Sequence, residues 1–132
     1  MSTWFTHNLS LNRPEVKLPS FDNLRLLSKW FHQQESNLTD IRPNCGASIQ
    51  WFEEPNRTNY AVVFVHGFSA SPSECNPFPQ RLAKALHANL LCTRLKGHGR
   101  TSNAMREGSL QAWLDGTATA LQIGTQMGKK VV

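Results

Sequence analysis

The sequence predicts an α/β fold in three layers, with a mostly parallel sheet between helices, and three observations predict it. Residues 61–65 form an unbroken β-branched and aromatic run, Ala-Val-Val-Phe-Val, the pattern of a strand covered on both faces. Helical and strand patterns alternate from there to residue 132, as they do where parallel strands are joined by right-handed crossovers. Two strands lead into loops that hold His-Gly pairs, His66-Gly67 and His98-Gly99. About 30 residues lie between the pairs, room for one crossover helix and one strand.

Residues 1–19 mix apolar and polar types without a period and contain Pro14 and Pro19, so they read as an extended arm. From Ser20, taken as the N-cap, Phe21, Leu24, Leu27 and Phe31 recur at three- and four-residue spacing. They predict an amphipathic helix to about Gln34. A basic amphipathic helix carrying Trp30 suits a membrane surface. Asp22 and Glu35 dilute its charge and its apolar stripe is short, so packing against its own domain is preferred for residues 20–34. After the turn Arg42-Pro43-Asn44-Cys45-Gly46, residues 47–52 set Ala47, Ile49 and Trp51 against Ser48, Gln50 and Phe52. This alternation predicts a peripheral antiparallel strand. Residues 1–45 are thus an arm and helix, and residues 46–132 the α/β domain.

Glu53-Glu54-Pro55-Asn56 turns the chain into the buried strand at 61–65. Ser71-Pro72-Ser73-Glu74 has the form of a capping box with proline at the first helical position. Pro77 and Pro79 interrupt anything it opens, so the main helix is expected at about 78–87. Residues 89–95 read as a short apolar strand, Gly97-His98-Gly99 as a loop, and Leu110, Trp113, Leu114, Ala118 and Leu121 as a helix ending near Gly128. Gly116 and Gly124 are expected to weaken that helix by about 1 kcal/mol each relative to alanine. Lys129-Lys130-Val131-Val132 reads as the start of another buried strand.

At 132 residues, 39% hydrophobic and 17% charged, the composition is that of a globular chain. Fourteen Lys and Arg against nine Asp and Glu leave a net charge of +5. The cations are scattered from Arg13 to Lys130 and form no stripe, and the aromatics sit in apolar contexts, so nucleic acid is not an expected partner. Cys45, Cys75 and Cys92 are widely separated and odd in number, which fits a reducing compartment. The first residues lack the charged and apolar regions of a signal peptide, and no stretch reaches membrane-span length, so a cytoplasmic location is expected. No metal is expected, since His66, His87 and His98 lie far apart without ligand spacing. Gly97-His98-Gly99 is followed by Ser102 rather than a nucleotide-binding glycine.

The most specific segment is Val62-Val63-Phe64-Val65-His66-Gly67-Phe68-Ser69-Ala70-Ser71, a buried strand running into His-Gly and small residues. The second is Thr93-Arg94-Leu95-Lys96-Gly97-His98-Gly99-Arg100-Thr101-Ser102, similar to the R-x-x-G-H-G-x-S type of loop. In this order they resemble the N-terminal part of the α/β-hydrolase fold, with the resemblance covering residues 46–132. The His-Gly-Phe-Ser pattern ending at Ser69 resembles carboxylesterases and monoglyceride lipases.

That resemblance implies an acyl-enzyme mechanism without a cofactor, on a small-molecule carboxylic ester by preference, with peptidase and acyltransferase members of the fold kept open. The Phe68 backbone N–H would be one oxyanion donor, with His66, Gly67 and Ser69 shaping its loop and Gly97, His98 and Gly99 a structural loop. His66 would not be the catalytic base, which comes late in such chains. No G-x-S-x-G elbow occurs, and Ser71, Ser73, Ser102 and Ser109 lack a strand-to-helix context. Nucleophile, acid and base are therefore expected outside these residues, leaving the fragment inactive, cut before its elbow and, with an unpaired edge at 130–132, poorly soluble or oligomeric. A non-catalytic binding protein on the same sheet is the alternative.

Overall fold

The computed structural model describes residues 11–132, and the arm's first ten residues lie outside them. The elements run α1 (Leu24–Ser36), β1 (Ser48–Gln50), β2 (Thr58–Val65), α2 (Phe78–Ala85), β3 (Asn89–Thr93), a 3-10 turn (Ser102–Glu107), α3 (Leu110–Met127) and β4 (Gly128–Val131). They build a small mixed α/β domain around one open four-stranded sheet of order β1-β3-β2-β4. β2 is parallel to both β3 and β4, and β1 is antiparallel to β3.

Period-two alternation along the central strands sends their side chains into two cores. Ala61, Val63, Leu91 and Ile49 meet α1 and α3 on one face through Leu27, Phe31, Ala120, Ile123 and Met127. Val62, Leu90 and Cys92 meet α2 on the other through Ala83, with Leu82 and Leu86 beside it. The step from β2 to β3 passes over the α2 face, and the step from β3 back across to β4 passes over the α3 face. Both crossovers therefore have the same hand. The connection leaving β2 goes to one face and that leaving β3 to the other, which makes the gap between the C-terminal ends of β2 and β3 the point where an open sheet of this kind leaves a crevice.

Several local expectations are corrected. Helix α1 is capped by Asn23, not Ser20, because the Asn23 Oδ1 accepts the Leu26 N–H at 3.0 Å while residues 11–20 stay extended. Its stripe of Phe21, Leu24, Leu27 and Phe31 faces the sheet core. The arm lies along α3: the N–H groups of Asn12, Glu15 and Lys17 donate to Gln111, Asp115 and Thr119, which stand one turn apart. Ser71-Pro72-Ser73-Glu74 forms turns instead of a capping box. Ser71 Oγ pairs with Ser73 Oγ at 3.0 Å, and the Glu74 carboxylate reaches back to the Gly67 N–H. β3 stops at Thr93, two residues early, and the Leu95 N–H donates to His66 Nε2 instead of to a neighbouring strand.

Helix α2 closes in a Schellman turn, with the Ala88 N–H donating to the Ala83 carbonyl at 2.8 Å and the His87 N–H to that of Lys84 at 3.2 Å. His87 holds the left-handed position, φ 51°, and stacks its ring on Phe52. Gly124, expected to weaken α3, sits where the helix touches the sheet. A β-carbon there would lie 2.6 Å from Val63 Cγ2, so the close packing of α3 requires glycine. Gly128 ends α3 and begins β4 with no loop between them, and a β-carbon there would run into the backbone of Tyr60 and Ala61. Among the described residues β4 forms one edge of the sheet, as expected for 130–132, with Lys129 and Lys130 exposed and Val131 half-buried.

Candidate functional site

Because β2 and β3 are parallel, the loops that follow them emerge at the same end of the sheet. The sequence-expected residues of both loops therefore come together: His66, Gly67, Phe68 and Ser69 from one, Gly97, His98 and Gly99 from the other. His66 and His98 are buried, with ring centroids 4.9 Å apart.

Each ring is held by the opposite loop. His66 Nε2 accepts the Leu95 N–H at 3.1 Å, and its Nδ1 lies 2.9 Å from the Gly67 carbonyl. His98 Nε2 accepts the Ser69 N–H at 3.1 Å, and its Nδ1 lies 3.3 Å from the Lys96 carbonyl. A ring nitrogen that accepts carries no proton, so these partners assign both histidines the Nδ1–H tautomer. Burial lowers the His66 pKa from 6.5, against the raising effect of the Gly67 carbonyl. The neighbouring His98 lowers it further, Glu74 raises it and Arg94 lowers it.

The loop after β2 uses its amides unequally. The Gly67 N–H donates to Glu74 Oε2 at 2.9 Å and the Ser69 N–H to His98. Between them, the Phe68 N–H makes no hydrogen bond among the described residues. Ser69 takes the left-handed conformation, φ 62°, which costs a non-glycine residue roughly 1 to 2 kcal/mol. Gly67 is not left-handed. Its missing side chain keeps space open, the nearest atom to a β-carbon there being the Glu74 carboxylate at 3.5 Å.

Gly97 and Gly99 are needed where they stand. Both have positive φ, 83° and 67°. A β-carbon would lie 2.8 Å from the Ala104 carbonyl oxygen at Gly97 and 2.6 Å from that of Cys45 at Gly99.

The Phe68 side chain is 74% exposed and meets Trp113 of α3 edge to face, centroids 5.5 Å apart, with His98 touching both rings. Trp113 is fixed in turn by its Nε1–H, which donates to the Lys96 carbonyl at 3.0 Å. An apolar rim therefore flanks the unpaired amide. In the sequence Trp113 marks only a helix, and its helical spacing gives no sign of contact with a loop 45 residues away.

Nothing in the sequence pairs Arg94 with Glu35, 59 residues away. The Arg94 guanidinium grips the Glu35 carboxylate with Nη2 to Oε1 at 2.9 Å and Nε to Oε2 at 3.0 Å, and its Nη1 donates to the His98 carbonyl at 3.1 Å. Arg94 stands at the head of the Gly97-His98-Gly99 segment, and that was the available signal. A cavity of about 560 Å³ opens behind the pair, between α1 and α3, lined among others by Trp30, Phe31, Gly116 and Ile123.

No family model matches this chain, and no curated protein matches it. Among the described residues no group of three or more His, Cys, Asp or Glu is placed to hold a metal ion, and no helix is long and apolar enough to cross a membrane. All three cysteines are free.

Proposed function

We propose that these residues supply the oxyanion side of a serine hydrolase of the α/β-hydrolase type, which cleaves carboxylic esters through an acyl-enzyme. The carrying observation is the run of three amides after β2. Gly67 and Ser69 have committed their N–H groups to Glu74 and His98, and Phe68 has not. A backbone donor held between two anchored neighbours is preorganised for an oxygen that gains charge during acyl transfer. Its position at the diverging point of the sheet, and the Phe68 and Trp113 rings beside it, support a small apolar acyl ester as the ligand.

In this reading His66 and His98 hold the loops and transfer no proton, since both ring nitrogens of each are engaged with backbone groups. Nucleophile, acid and base are assigned to residues outside these 132. Without them there is no covalent path whose barrier the donor could lower.

The test begins with the coding region beyond Val132. It is expected to encode G-x-S-x-G, and the longer product to hydrolyse short p-nitrophenyl esters. Phe68→Pro, which removes the N–H, should lower kcat about 100-fold or more. An elbow without serine would move the reading to a non-catalytic binding protein. Unchanged turnover in Phe68→Pro would remove Phe68 from the site.

A further inference from the structure

The geometry points to helix α1 as a positioning element of the loop at residues 66–69, acting through Glu35 and Arg94. This role goes beyond the ester-cleaving reading and uses no step of it.

Glu35 lies in the last turn of α1, outside the segment that carries the family resemblance. Its carboxylate takes the fork of Arg94 and, on Oε2, the Ala47 N–H at 2.8 Å, so that helix, β1 approach and site loop meet on one group. The side chains are 19% and 8% exposed, which leaves little water to replace a lost partner. The third Arg94 donor holds the His98 carbonyl, and the Arg94 stem packs against Gly99.

With its backbone fixed on one side, His98 presents Nε2 to the Ser69 N–H on the other. Ser69 is in the left-handed region, inside a turn closed by the Ala70 N–H to the Gly67 carbonyl at 3.2 Å. Its own N–H donates to His98, which ties this turn to the opposite loop. The path from Glu35 through Arg94 and His98 to Ser69 therefore sets the residue next to the free Phe68 amide.

Lysine at position 94 would keep the charge but lose the fork, and glutamine at 35 would keep the shape but lose the charge. The experiment is amide hydrogen exchange on the 132-residue chain and on its Glu35→Gln and Arg94→Lys variants. It compares Ser69 with Leu91 in the core strand, and ring nitrogen-15 spectra report the His98 tautomer. In both variants Ser69 should exchange about tenfold faster or more, as expected for loss of one hydrogen bond, while Leu91 is unchanged. The His98 ring should pass from one tautomer to a mixture. Ser69 exchange that stays at the wild-type rate, or that rises in step with Leu91, overturns the proposal. So does collapse of the whole fold in both variants. No readout involves turnover, so an inactive esterase assay and a failed positioning test are told apart.

Discussion

His66 and His98 each accept a backbone N–H from the loop that carries the other, both at 3.1 Å. The two bonds cross between loops 29 residues apart in each case, so neither loop is held by its own sequence neighbours alone. The rings touch, and loosening one loop withdraws the acceptor or donor that the other relies on.

That reciprocity predicts strong coupling. His66→Phe and His98→Phe keep a ring but remove the accepting nitrogen, leaving a backbone N–H unsatisfied at a cost of roughly 1 to 3 kcal/mol each. The double variant should lose less than the sum by about 1 kcal/mol, measured by urea unfolding in a double-mutant cycle. Strict additivity would mean that the two bonds are independent.

Acidification should weaken the domain through His66. Its pKa in the folded chain is depressed by burial below 6.5, so just beneath that value the unfolded chain takes up a proton that the folded chain refuses. Stability is then complete above 6.5 and falls as the pH drops towards the folded value. Asp40, held below 3.8 chiefly by its bond from Arg100, and Asp115, chiefly by the Glu15 N–H, favour the folded state throughout this window. Their contribution fades only at lower pH. The urea midpoint should decline between pH 7 and 5 in the wild type and decline less in His66→Gln. Equal slopes would exclude His66 as the cause.

The two helical glycines of α3 should respond in opposite directions to alanine. At Gly116 the nearest atom to a new β-carbon is Leu95 Cδ2 at 3.7 Å, an ordinary contact, so helix propensity governs and Gly116→Ala should stabilise by about 0.5 to 1 kcal/mol. At Gly124 the new carbon would meet Val63 and force α3 away from the sheet. Gly124→Ala should destabilise by roughly 1 to 3 kcal/mol despite the better propensity. Thermal unfolding of the two variants side by side distinguishes the effects.

Asn89 is fully buried and ties four segments together. It donates to the carbonyls of Asn56 at 2.8 Å and Met127 at 2.9 Å, and its Oδ1 accepts the Phe52 N–H at 3.0 Å. Asn89→Leu is close in volume, leaves the Phe52 N–H and the Asn56 carbonyl without their partner, and leaves the Met127 carbonyl only the Thr58 hydroxyl at 3.3 Å. It should cost about 3 kcal/mol or more in chemical denaturation, and a loss under 1 kcal/mol would show that the segments find other partners.

The sequence revealed the architecture where one physical signal dominated. The run at 61–65 marked the central strand because only residues buried on both faces can be apolar without alternation. The phase of Leu27 and Phe31 marked the buried side of α1 for a similar reason. Competition between equivalent local signals defeated the finer reading. Ser20 and Asn23 both suit an N-cap, and Glu74 could serve either its own turn or the distant Gly67 amide. The cross-loop histidines were legible as loop residues but not as partners, because their bonds depend on β2 and β3 lying side by side. Gly124 looked like a defect until the distance between helix and sheet was known.

Helix α3 passes into β4 at Gly128 without a joint, and 15 residues earlier its first turn bears Trp113 against the site loop. At 1.5 Å per residue the helix spans about 27 Å, the depth of the sheet layer and more. It works as a strut: an outward swing of the aromatic rim beside Phe68 must either bend α3 or pull β4 along β2, where Gly128 is wedged against Ala61. The rim beside Phe68 and the opposite end of the sheet are therefore tied together by a single helix.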